Sequence, residues 1–295
     1  MNPSGLLIPP LLSPSIWKFT HGQSLSFTNP SSSHRGSGLL FKTLATGTPN
    51  TPENFILLLS KQSSFYSPRH RHNFDQFRFS LQGDFSLAPH LILQQGELAY
   101  HPEGVYYGPQ DDGPEERLML VLQCGGASGS GFLSHKQMGE ANEALKKTGR
   151  FEKGRYVADG VGEGESVDGY EAVWSYANGG RKLLYPEGRY HEPVLMSPEN
   201  FGWRKTEGAQ RMERKLLGVF SERETRAEML RIDGKGDLTI IGAHAIELAF
   251  VLRGSGYVGE EHLQEHSTIK LSPGARCLIA SEQGIEVLHF VMPML

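Results

Sequence analysis

Apolar residues along this chain fall in short runs, many of them alternating with polar ones, and nearly every run ends at Gly, Pro, Asn or Asp. The first series reads NFILLLS, FRFSL, HLILQ, ELAYH and RLMLVLQC; the second reads KLLGVFS, AEMLRID, LTIIGA, ELAFVLRG, GYVG, STIKLS, RCLIAS and EVLHFVMPML. Period-two alternation bounded by turn residues predicts β-strands, because successive side chains on a strand point to opposite faces. One stretch has helical composition instead: SHKQMGEANEALKKTGRF, with Ser134 as N-cap and Lys146 and Lys147 in the last turn. Residues 1–54, rich in Ser, Pro, Gly, Asn and Thr, read as an irregular arm with two short strands, SLSFT and GLLFKTL. The expected organisation is therefore an arm (1–54), a first β unit (55–125), a connector with one helix packed partly over a barrel (126–205), and a second β unit (206–295).

The two β series align with each other. Placing Gln76 on Glu247, an offset of 171, also places Gly83 on Gly254. Past a one-residue deletion the offset becomes 170, which puts Gly104 on Gly274, Tyr107 on Cys277 and LMLVL (118–122) on LHFVM (288–292). Turn landmarks at matched spacing with apolar strands between them are the mark of a duplicated module.

Composition narrows the function classes. A formal charge of −4 over 295 residues gives no footprint for a polyanion, so nucleic acid is not an expected partner and a small molecule or a protein is. The 2 cysteines, Cys124 and Cys277, lie far apart and form neither a disulfide framework nor a CxxC metal site. The N-terminal LLIPPLL lacks a basic flank and is too short to span a bilayer, so no membrane association and a cytoplasmic location are expected. GGASGSG has no Walker lysine and reads as a linker. A homodimer is left open.

The candidate chemistry sits in SPRHRHNFDQFRFSLQGDFS, residues 67–86. With a short bend between His72 and Gln76, four polar groups, His70, His72, Gln76 and Arg78, converge on one strand face. Phe77, Phe79 and Leu81 occupy the opposite face and require cover of their own; if both faces are covered, the polar one lines a cavity. An arginine in an apolar barrel needs an anion or an acidic partner, which points to an acidic or phenolic ligand, or to a salt bridge with a residue such as Asp84.

The order His, x, His, three residues, Gln, six residues, Gly is similar to the first motif of the cupin superfamily. GELAYHPEGVYY is similar to the second, with Gly96, Pro102 and Gly104 in place and Tyr107 where that motif carries its last histidine. The resemblance implies an all-β protein of two cupin-type barrels (double-stranded β-helix, or jelly-roll), a bicupin, joined by a partly helical connector. It implies a metal held by His70, His72, Gln76 and Tyr107, with Gln76 in place of the family's glutamate. Fe(II) is the expected ion, Mn, Ni and Zn are alternatives, and a metal-free pocket is another. In the second barrel Ile241 and Ala243 stand in place of the paired histidines and Cys277 in place of the last one, so no metal is expected there; His244 and Glu247 read as structural or interface groups.

The activity implied is that of a cupin oxygenase acting on a small aromatic or enolic metabolite, similar to dioxygenases of fungal polyketide pathways such as that of patulin. Arg78 would orient the substrate, Tyr107 would take part in catalysis, and His101 and Tyr106 would line the mouth. The rival readings are a metal-independent isomerase, cyclase or lyase, in which a histidine moves a proton and Tyr107 stabilises an enolate, and a non-catalytic binding protein.

Overall fold

The computed structural model describes residues 17–29, 38–129, 131–160, 166–206, 211–242 and 244–294. LLIPPLL and Ala243 lie outside them. The β pattern folds into two barrels of corresponding topology. In the first, a six-stranded sheet runs in the spatial order Val194–Met196, Leu98–His101, Phe74–Gln82, Arg117–Gly125, Phe55–Gln62, Leu39–Thr46. In the second, the order Trp17–His21, Ser267–Leu271, Glu247–Gly254, Gly284–Val291, Arg226–Asp233, Met212–Val219 repeats it strand for strand, with Arg204–Lys205 added at the edge.

The edge strands correct the expected boundaries. Trp17–His21, from the arm, pairs with Ser267–Leu271 of the second barrel, while Val194–Met196, from the connector, pairs with Leu98–His101 of the first. Each barrel thus takes an edge strand from chain preceding the other, which satisfies backbone groups that an open edge would leave unpaired. Leu39–Thr46 is part of the first barrel's sheet; of SLSFT, Thr28 forms an isolated bridge to Phe41.

Strand register also refines the repeat. Phe79 pairs with Leu120 and Phe250 with Leu288, so this last strand matches at an offset of 168 rather than 170. His70 faces Tyr107 across a bridge as Ile240 faces Cys277, so Ile240, not Ile241, stands in place of His70. A slip of one residue turns a side chain to the other face, and Ile241 is accordingly 64% exposed.

Alternation along Phe74–Gln82 divides two environments. Phe77 and Phe79 point out of the first barrel into a core shared with the second, where the Phe77 ring lies 5.3 Å from those of Phe220 and Phe290. Burying one such ring contributes about 2–3 kcal/mol. Gln76 and Arg78 point the other way, into the first barrel.

The expected helix forms as α1, His135–Leu145, with a capping box in which Ser134 and Gln137 bond each other's backbone N–H, but Lys146 is its C-cap and Lys147 lies beyond it rather than in the last turn. A second helix, α2 (Gly169–Ala177), capped by Asp168, was not legible in the glycine-rich connector. Both pack against the open side of the first barrel, and its interior cluster continues into Ala141, Val173 and Trp174.

Candidate active site

A cavity of about 350 Å³ occupies the first barrel, at the small end of the range usual for ligand sites. Leu58, Phe65, Phe74, Met119 and Val121 supply its apolar wall. α1 contributes His135 and Met138, and α2 contributes Tyr170. The Tyr170 hydroxyl donates to Asn73 Oδ1 at 2.9 Å, and Asn73 Nδ2 donates to the Gly131 carbonyl at 2.7 Å, which ties the connector to the strand bearing the polar motif.

The backbone explains why the two sequence motifs meet. His70 and Tyr107 exchange N–H···O bonds of 2.9 and 3.0 Å, and Gly104 N–H donates to the His72 carbonyl at 2.7 Å. Gly104 has φ +79, and a Cβ there would run into the Pro186 carbonyl, so the turn requires glycine. The Tyr107 phenol is thereby laid beside the imidazoles, with ring centroids 4.4 Å from His70 and 5.7 Å from His72.

Arg78 is the centre of the site. It is 8% exposed; its Nε donates to Gln76 Oε1 at 2.5 Å, one terminal nitrogen to Gln110 Oε1 at 3.2 Å, and the other to the Tyr107 hydroxyl at 3.1 Å. That hydroxyl shares a hydrogen bond with His72 Nδ1 at 3.2 Å. His70 Nδ1 lies 2.6 Å from the Pro68 carbonyl and donates to it, which fixes the tautomer. Asp84 is not the partner of Arg78: its carboxylate accepts from Gln95 N–H.

His70, His72, Gln76, Arg78 and Tyr107 thus all line one cavity. The two residues expected at its mouth do not. Tyr106, next in chain to Tyr107, takes the opposite face; it is 42% exposed, with the guanidinium groups of Arg69 and Arg71 over its ring at 4.3 and 4.7 Å. His101 lies opposite Gln76 in register and is wholly buried edge-on to the Tyr107 ring, centroids 4.5 Å apart. Neither of its ring nitrogens has a hydrogen-bond partner. Burial first, then the neighbouring Arg78 and His72, hold its pKa well below 6.5, so it is neutral.

Several polar cavity residues escaped sequence reasoning, among them Gln62, Gln110, Gln123, His135 and Tyr170. Gln123 is recoverable from the alternation of RLMLVLQC, since it lies opposite Gln76. The others arrive by tertiary contact and leave no local signal. His135 is pulled below its ordinary pKa by burial.

The donor set decides whether a divalent ion of the cupin type fits. The expected quartet has two imidazoles, an amide and a phenol, hence no carboxylate to balance a dication. Among the described residues no three His, Cys, Asp or Glu side chains gather as a metal site. Gln76 Oε1 and the Tyr107 hydroxyl, the intended oxygen ligands, both accept from Arg78, a cation itself. The expected four-ligand site therefore does not fit as arranged.

In the second barrel the interior is polar in a different way. His289 is buried between two carboxylates, Nδ1 2.8 Å from Glu228 and Nε2 2.9 Å from Glu247. Burial alone would depress its pKa, but those bonds raise it, favouring the charged imidazole in a structural triad. His244 is exposed.

No family profile and no curated protein matches the chain. Solved structures do: across 96% of this chain and 85% of its own, a Nostoc punctiforme protein provisionally described as a dioxygenase superposes with TM-score 0.65 at 14% identity. The Streptomyces albus enzyme HEPD, solved with 2-hydroxyethylphosphonate and Fe(II), gives TM-score 0.54 at 12% identity over 94% of this chain and 76% of its own. Lactobacillus farciminis oxalate decarboxylase, in a formate complex, gives 0.53 at 10% identity over 96% and 87%. Together with the strand order, these define an all-β protein of the cupin fold. Its particular character lies in the first barrel, where an arginine stands among the residues that motif comparison assigns to a metal. Among the described residues no helix is long and apolar enough to cross a membrane.

Proposed function

We propose that the first barrel is an enzyme active site for a small aromatic or enolic acid, with Arg78 binding the anionic group and the His72–Tyr107 pair moving a proton. The observation that carries this reading is the Arg78 guanidinium, buried in the wall of the cavity and bonded, among the described residues, only to the neutral groups Gln76, Gln110 and Tyr107. An unneutralised buried cation costs several kcal/mol, which an anionic ligand would offset. The Tyr107 hydroxyl can pass a proton to or from His72 over 3.2 Å, or donate to an oxyanion on the substrate. The resemblance of the motifs to dioxygenases of polyketide pathways makes phenolic and enolic acids of that kind the first compounds to try.

Metal-dependent oxygenation is the second reading. It is favoured by the 2.6 Å contact of His70 Nδ1 with the Pro68 carbonyl, the outer contact that orients ligating imidazoles, and by Fe(II) in the HEPD neighbour. Elemental analysis of untagged protein, paired with oxygen uptake during turnover, separates the two. Turnover by metal-free protein without oxygen consumption supports the first; about one metal per chain, lost in His70→Ala/His72→Ala together with activity, establishes the second.

A further inference from the structure

Arg78 has five N–H donors, and the three acceptors it meets in the fold leave one N–H on each terminal nitrogen. A carboxylate does stand in its network, but one residue removed. Gln110 Oε1 accepts from Arg78, while Gln110 Nε2 donates both to Asp112 Oδ2 at 2.5 Å and to Gln62 Oε1 at 2.8 Å. Asp112 is held in turn by Ser86 N–H at 2.9 Å. Gln62, Gln110 and Asp112 are 5%, 2% and 6% exposed, so each bond is made away from bulk water.

With both amide hydrogens committed, the Gln110 side chain has one orientation, its carbonyl toward Arg78. A glutamate there would set one oxygen against the guanidinium and the other against Asp112 Oδ2, so that the two carboxyls share a proton and their remaining negative charge lies on Arg78. The amide aims the guanidinium and keeps the Asp112 charge at a distance. We infer that Gln110 is the specificity-determining residue of the pocket: a neutral spacer between Asp112 and Arg78 that leaves the guanidinium's charge available to a ligand, so that the site accepts a monoanion such as a carboxylate or enolate and rejects its neutral isostere. This rests on the reading of Arg78 as the anion contact.

The test is calorimetric binding of benzoate and of benzamide to the full chain and to two variants, with folding checked by circular dichroism. Wild type prefers benzoate by about tenfold or more, which is about 1.4 kcal/mol. Gln110→Glu places a carboxylate against Arg78 and abolishes that preference through loss of benzoate binding, while benzamide affinity stays within about twofold; a collapsed pocket would lose both. Asp112→Asn removes the distant charge yet keeps an acceptor for Gln110, and tightens benzoate about two- to fivefold, a direction that a merely structural role does not produce. Persistence of the benzoate preference in Gln110→Glu, or weaker benzoate binding in Asp112→Asn, overturns the inference while leaving Arg78 as anion contact. Absence of any benzoate preference in wild type overturns the Arg78 assignment and this inference together.

Discussion

The Tyr107 hydroxyl shares a 3.2 Å hydrogen bond with His72 Nδ1 across 35 residues of chain. It also accepts from Arg78, so one phenol joins the imidazole to the guanidinium. Tyr107→Phe removes both links and keeps the ring in the cavity wall. Turnover is expected to drop about 100-fold or more, in line with losing a positioned proton-transfer group. An unchanged rate constant with an unchanged melting temperature would remove Tyr107 from the chemistry.

The connector is held over the cavity by the 2.9 Å bond from the Tyr170 hydroxyl to Asn73. Tyr170→Phe should destabilise the first barrel by about 1–2 kcal/mol. Hydrogen exchange is expected to quicken in α2 and stay unchanged in the second barrel. Uniform exchange changes in both barrels would show that the bond has no local role.

Asp75 sits behind the motif, wholly buried on the face turned to the second barrel. Burial, only partly offset by the bond from Glu103 N–H, pushes its pKa from 3.8 up to about 6. A carboxyl that holds its proton more tightly when folded contributes stability at low pH and loses it as pH rises from about 4 to 6. That rise corresponds to about 3 kcal/mol. Asp75→Asn keeps the acceptor for Glu103, so it should melt higher than wild type at pH 7.5 and converge with it near pH 4. Equal melting curves at both pH values would rule this out.

His289 has the opposite consequence on substitution. Its raised pKa means that the Glu228–His289–Glu247 triad stabilises the fold fully below the ordinary imidazole pKa of 6.5 and loses that contribution as pH climbs through the folded value. His289→Gln leaves the buried Glu247 carboxylate without its cation, while Glu228 keeps Arg214 and Arg226, and should cost about 3–5 kcal/mol at pH 6. The gap to wild type should narrow at alkaline pH in urea unfolding experiments. A gap independent of pH would mean that the histidine is neutral in the triad.

Legibility followed the range of the interactions. The strands were readable because burial on one or both faces imposes period two or an unbroken apolar run, as in RLMLVLQC and ELAFVLRG. Ser134 announced α1 because a capping box is built from residues three apart. His70, His72, Gln76, Arg78 and Tyr107 were found because spacing along adjacent strands determines which side chains share a face. Gln110 was missed because its place in the cavity comes from contacts with Gln62, 48 residues away, and Arg78, 32 residues away. His101 and Tyr106 were misplaced because a motif says which residues are near a pocket, not which neighbour covers them. Tyr106 turned out toward two arginines, and His101 was sealed behind Tyr107.

The amino-acid order alone thus determined two duplicated sets of short strands, one capped helix, and a polar strand face whose reverse carries Phe77 and Phe79. Those are consequences of local periodicity and turn chemistry, which operate within a few residues. Only the tertiary structure decided that the phenylalanine face would be covered by the other barrel, that each barrel would borrow an edge strand, and that Arg78 would take the oxygens of Gln76 and Tyr107. Such outcomes depend on which distant groups satisfy a buried charge, and a buried charge takes whichever partners the packed chain brings within hydrogen-bonding distance.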